Sequence, residues 1–162
     1  MTKETRNRIS ESLLKASKLK HPNVPDHVRP VPKVQEGSAN QLTKTVIEFL
    51  KAEGCQAERI NTMGVPRLKA DMMNLSGGIQ TKGSVEWTKG TGTKGSADIS
   101  ASIKPLRLKF AVSVKIEIKY GKDRQSESQK VYQANVEQAG GIYFIVRNLD
   151  DFLIEYDKIM HL

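Results

Sequence analysis

The chain has 162 residues, 38% hydrophobic and 27% charged, which is the composition of one soluble domain with a modest core and room for an added arm. Its 26 Lys and Arg against 18 Asp and Glu give a formal charge of +8, which favours a polyanionic partner, nucleic acid before an anionic membrane. No apolar run approaches the roughly 20 residues of a bilayer span. The N-terminus, MTKETRNRIS, lacks the hydrophobic segment of a secretory signal, and Cys55 is the single cysteine, with His21, His27 and His161 scattered. Those features exclude an internal disulfide and a zinc cluster and predict an intracellular, cytoplasmic protein.

Residues 1–35 read as a separate basic arm, holding 8 Lys and Arg against 3 acids. A short helix is expected around Ile9–Leu19. The following HPNVPDHVRPVP, with four prolines in the eleven residues 22–32, predicts an extended linker. The arm reads either as a flexible tail or as an element that tracks a nucleic-acid backbone or packs on a second subunit. The domain proper then spans 36–162. Leu42, Val46, Phe49 and Leu50 form one apolar stripe, so a helix is expected there, stopped at Gly54. Short strands are expected at Ala57–Asn61 and Gly83–Thr88, with mobile loops between them. The run Lys89–Gly95 (KGTGTKG) lacks the spacing of a P-loop and reads as a flexible turn.

Strands are then expected at Ala97–Ile103 and, longer, near Leu106–Tyr120. Ser126 and Gln129 have capping-box spacing and open a helix whose buried side would be Val131, Tyr132, Ala134, Val136 and Ala139, ended by Gly140-Gly141. The apolar run Ile142–Val146 reads as a strand buried on both faces at the centre of the sheet. Leu149, Phe152, Leu153, Tyr156 and Met160 mark a closing amphipathic helix. The expected fold class is α/β, a mixed sheet flanked by helices, in the order α-β-β-β-α-β-α after the arm.

The long strand poses a chemical question. Phe110, Val112, Val114, Ile116 and Ile118 would define its buried face, leaving Lys115, Glu117 and Lys119 side by side on the other. Residues two apart on a strand are about 6.6–6.8 Å apart at the backbone, so their head groups can converge. If the preceding strand pairs antiparallel, Asp98 of GSADI lies beside Glu117. Two neighbouring carboxylates repel, and a divalent cation is the usual reason to keep them together. Mg²⁺ takes one or two carboxylates and shares its remaining positions with water and substrate phosphate. A nearby Lys supplies a point charge for an attacking water or for the phosphate. Spacing alone favours a solvated row of alternating charges, which is commonplace on an exposed strand face.

Asp98, then Glu117-Ile-Lys119 after an apolar strand, then Gln129 early in the next helix, resembles the PD-(D/E)xK nuclease superfamily, and within it the virus-type replication-repair nuclease (VRR-NUC) branch. The likeness runs through GSADIS and VKIEIKYGKDRQSESQKVYQANVEQAGGIYFIVRNLDDF, and more loosely back to about residue 40. It implies a restriction-endonuclease-like fold, with Asp98 and Glu117 as metal-binding carboxylates, the Ile118 carbonyl as a further ligand, Lys119 as the catalytic lysine and Gln129 beside the site. Lys94, Lys115, Lys122 and Arg124 would contact nucleic-acid phosphates. The implied activity is a Mg²⁺- or Mn²⁺-dependent DNA endonuclease on branched or junction DNA, acting as a homodimer, of the kind found in phage or mobile-element replication, repair and recombination. The alternative is a non-catalytic nucleic-acid-binding module on the same fold. Two departures stand out: Ala97 replaces the proline that usually precedes the aspartate, and Ala39 or Asn40 falls where the first helix usually carries a Glu, with Glu36 and Glu48 displaced.

Overall fold

Alternation along two strands builds the sheet. In β4 (Ile99–Ile103) and β5 (Val112–Ile118), an antiparallel register sets Ile99 opposite Ile116, Ala101 opposite Val114 and Ile103 opposite Val112. These apolar pairs share one face, and the intervening Ser100–Lys115 and Ser102–Ser113 pairs share the other. The computed structural model describes residues 1–60 and 92–162, together with the backbone of residues 65–68 and 85–88.

The elements in chain order are α1 (Lys3–Lys20), α2 (Ala39–Ala52), β1 (Gln56–Arg59), β2 (Val65–Leu68), β3 (Val85–Thr88), β4, β5, α3 (Glu127–Gln138), β6 (Ile142–Val146) and α4 (Leu149–Met160), with one 3-10 turn at Asp26–Val28. The fold is mixed α/β. Four strands form one sheet in the order β1-β4-β5-β6, with β6 parallel to β5 and the other pairings antiparallel; β2 and β3 pair separately as an antiparallel ribbon. Of the run Lys89–Gly95, residues 89–91 lie outside the described residues, as do the loops expected between the early strands apart from β2.

The apolar face of the sheet packs against α2 and α4, and α1 packs on those two helices. Leu42, Val46, Phe49 and Leu50 of α2 and Leu149, Phe152 and Tyr156 of α4 join Ile99, Val114, Ile116 and Val146 in one core. Phe49 sits edge-on to both Phe152 and Tyr156, with ring centroids 5.6 and 5.2 Å away, a preferred aromatic geometry. Ser38 and Asn148 cap the starts of α2 and α4 through their side-chain oxygens.

Several expectations need correction. The first 35 residues are not a detached arm: α1 is 18 residues long, and its Ile9 is fully buried in the core. The Arg8 guanidinium donates to Asp157 of α4 at 2.7 Å. The Pro-rich segment after α1 is pinned by Arg29, which donates to the carbonyls of Ser17 (2.9 Å), His21 (3.0 Å) and Val24 (2.6 Å) and so satisfies the open C-terminal end of that helix. The strand expected from Leu106 begins only at Val112, and Phe110 is 64% exposed rather than on the buried face. The apolar strand Ile142–Val146 lies at an edge of the sheet, not at its centre. In α3 no residue is fully buried, and Val131, Ala134 and Ala139 are exposed.

If the N-terminal helix belongs to the fold, Ile9→Ala should cost about 2–5 kcal/mol, the usual penalty for emptying a buried aliphatic site. Urea unfolding followed by circular dichroism measures it. An unchanged midpoint and slope would show that residues 1–35 fold apart from the core.

Candidate active site

The face of β5 turned away from the core carries a charged pair that should be solvated but is not. Glu117 is 1% and Lys119 4% exposed. Their heads meet, Lys119 Nζ lying 3.0 Å from Glu117 Oε1. The ammonium also donates to Gln129 Oε1 at 3.0 Å and to Asp123 Oδ2 at 3.3 Å, so its three N–H groups face three acceptors. The opposite Glu117 oxygen, Oε2, accepts from the Tyr143 hydroxyl at 3.3 Å, while Oε1 accepts from Gln129 Nε2. Burial pushes the Glu117 carboxyl above the usual range, against the pull of Lys119, and the neighbouring Asp98 charge pushes it further. Burial opposes the charge on Lys119, yet the carboxylates of Glu117 and Asp123 more than offset it and raise its pKa.

Asp98 sits one step before Ile99, and the register of β4 on β5 therefore brings it level with Glu117. Its Oδ2 accepts the Ile118 backbone N–H at 2.8 Å, and its own carbonyl accepts the Ile60 N–H at 2.8 Å, fixing it between β1 and β5. Its charge also acts on both Glu117 and Tyr143. The carboxylates of Asp98 and Glu117 thus lie at the same end of the two strands.

The start of α3 supplies the third wall. Gln129 is its N3 residue, and Oε1 accepts from the Ser126 backbone N–H at 2.8 Å in a full capping box with the Ser126 side chain. The same amide reaches Lys119 and Glu117, so one side chain both caps the helix and borders the charged pair. The loop leading to Asp98 presses on this turn. Gly95 has φ +83, and a Cβ there would fall 2.3 Å from the Ser128 carbonyl oxygen, so only glycine fits.

The other predicted residues are placed as follows. Lys115 is half-buried on the same face and donates to Ser100 Oγ at 2.6 Å. Lys122 and Arg124 are exposed in the turn after β5, and Lys94 is exposed in the loop before Asp98. Neither displaced glutamate joins the cluster: Glu36 accepts the Leu149 N–H at 2.8 Å, and Glu48 is 3.8 Å from Lys44 on the outer side of α2. Asn40 instead accepts from Arg59 at 3.0 Å. Among the described residues no group of three or more His, Cys, Asp or Glu is gathered for a metal.

Sequence reasoning missed Tyr143, Asp123 and Gln125. Gln125 donates to Gln133 at 2.8 Å and to the Tyr143 hydroxyl at 3.4 Å, and Tyr132 packs edge-on to Tyr143 with centroids 6.4 Å apart. Tyr143 was visible as the one hydroxyl in an apolar run, since a buried tyrosine normally finds a polar partner. Asp123 and Gln125 carried no such signal. No protein-family model, curated protein or solved structure matches the chain.

The paired carboxylates offer hard oxygen donors of the kind Mg²⁺ or Mn²⁺ accepts, too few to enclose an ion without water or substrate oxygens. The packing that sets this geometry is testable at Gly95. Gly95→Ala places a Cβ in the left-handed region, at about 1–2 kcal/mol, and adds a backbone clash with Ser128. Chemical denaturation should show a loss larger than that strain alone, and wild-type stability would show that the loop does not bear on α3.

Proposed function

We propose that the chain is a divalent-metal-dependent DNA endonuclease with a restriction-endonuclease-like fold, hydrolysing backbone phosphodiesters of branched or junction DNA, and acting as a homodimer that presents one centre to each of two strands. The observation that carries this reading is the convergence of Asp98, Glu117, Lys119 and Gln129 on one end of β4 and β5. It is the arrangement implied by the resemblance to the VRR-NUC branch. The basic composition agrees with a nucleic-acid partner.

Asp98 and Glu117, with the Ile118 carbonyl, would hold Mg²⁺ or Mn²⁺. A cation so held supplies Lewis acidity toward a phosphodiester oxygen and a lowered pKa for bound water. The chain's own groups then have distinct tasks. Lys119 keeps its proton beside the carboxylates and offers positive charge to an attacking oxygen and to the phosphate. Gln129 fixes Lys119 and Glu117 relative to the helix start, and the Tyr143 hydroxyl orients the second Glu117 oxygen. Lys94, Lys115, Lys122 and Arg124 are assigned to phosphate contacts that position DNA without reading its bases.

A non-catalytic DNA-binding module is favoured by one observation. Asn40, at the expected first-helix carboxylate position, is bonded to Arg59, and Glu36 is bonded to the start of α4. Nicking of supercoiled plasmid and of four-way junctions with Mg²⁺ or Mn²⁺ decides between them. The nuclease reading expects metal-dependent cutting that falls about 100-fold or more in Lys119→Ala, with junction affinity retained. Wild-type binding without cutting under either cation would establish the module instead.

A further inference from the structure

The connection between β4 and β5, residues 104–111 (KPLRLKFA), holds three cations and no acid. Lys104, Arg107 and Lys109 are exposed, and among the described residues none of them forms an ion pair. Between them stand two large apolar side chains left in solvent, Leu106 at 71% and Phe110 at 64% exposure. The loop is nevertheless anchored. Pro105 is buried, and the Leu106 N–H donates to the Met160 carbonyl at 3.0 Å, tying the loop to the end of α4. An aromatic ring is thus carried among unpaired cations on a fixed base.

The loop is also continuous with the candidate active site. It closes the β4–β5 pair whose opposite end bears Asp98 and Glu117, and Ile103 lies five residues along the strand from Asp98, about 17 Å. Along the intervening face lie Ser100 with Lys115 and then Ser102 with Ser113; the last two are exposed. A polar, hydroxyl-lined path therefore joins the carboxylates to the cationic loop. A lipid surface has no use for such a path, whereas a phosphate backbone is matched by hydroxyl and lysine donors along its length.

We propose that residues 104–111 form a second nucleic-acid contact, in which Phe110 stacks on a base freed from the duplex while Lys104, Arg107 and Lys109 hold the flanking phosphates. An exposed ring amid cations is the general means of gripping unpaired bases, and apolar wedges of this type enter disturbed base steps. The inference rests on the nuclease reading for its choice of polyanion and adds the reason for a preference for branched DNA: the branch point supplies an unstacked base at the end of the β4–β5 pair opposite the carboxylates.

Binding is measured in EDTA by fluorescence anisotropy, using a four-way junction, a duplex of equal length and vesicles of phosphatidylserine and phosphatidylcholine. Metal-dependent cleavage by the same proteins is scored separately. Phe110→Ser, whose site lies outside the core, should lose about tenfold in junction affinity, the value of one stacked base, and little for duplex. Lys104→Gln/Arg107→Gln/Lys109→Gln should lower the slope of log affinity against log salt by about 2 to 3. Melting curves matching wild type confirm that both variants fold.

If Phe110→Ser binds the junction as wild type does, the loop inference is overturned, and continued metal-dependent cutting leaves the nuclease reading standing. Loss of junction binding in that variant, with no cutting by wild type, supports the loop contact and sinks the nuclease. Binding of the loop to anionic vesicles but to no DNA overturns the inference in favour of a membrane contact.

Discussion

Burying an ion pair is expensive, because each charge gives up its hydration and the attraction between the two repays that only when the remaining hydrogen-bonding capacity is filled. Glu117 and Lys119 meet this condition through a ring of partners drawn from separate parts of the chain: Gln129 from the start of α3, Asp123 from the turn after β5 and Tyr143 from β6. Removing one partner leaves a charge stranded in a low-dielectric setting. The elements around the pair are therefore coupled to one another, and the local fold on this side of the sheet is organised by polar satisfaction more than by apolar packing. The scarcity of buried residues in α3 follows from the same fact, since that helix is held by its capped end and by aromatic contact with Tyr143.

The register of β4 against β5 is the second constraint. A slip of one residue would turn Ile99, Ala101 and Ile103 away from the core and would separate Asp98 from Glu117. The core thus enforces the position of the carboxylates: the packing of Ile99 on Ile116 is what places the acidic side chains level. The loop before Asp98 is constrained in turn by the close approach of Gly95 to Ser128, so both walls of the site are set by backbone contacts.

What could be read in advance depended on whether a residue's surroundings are local. The stripe Leu42, Val46, Phe49 and Leu50 marked α2 because a helix with one buried face writes its period into the sequence. Ser126 and Gln129 marked the start of α3 because a capping box is a contact three residues long. Alternation misled at Leu106–Phe110, where the polar–apolar pattern continues but the chain must turn to pair antiparallel, leaving Phe110 in solvent. The apolar run Ile142–Val146 was placed at the sheet centre because it reads as buried on both faces, yet helices can cover both faces of an edge strand. The N-terminal helix was undervalued because a strongly basic composition hides a single buried Ile9. Asp123 and Tyr143 reach Lys119 and Glu117 through a turn and a crossover that no spacing rule anticipates.

We propose that Asp98 and Glu117 bind one divalent cation between them, with Lys119 at its edge. Titration of Mn²⁺ into the free protein, followed by melting temperature and by isothermal calorimetry, tests it without reference to any substrate. One ion should bind per chain and raise the melting temperature with increasing Mn²⁺, in wild type but in neither Asp98→Asn nor Glu117→Gln. Equal stabilisation of all three proteins, or none in wild type, would contradict the account.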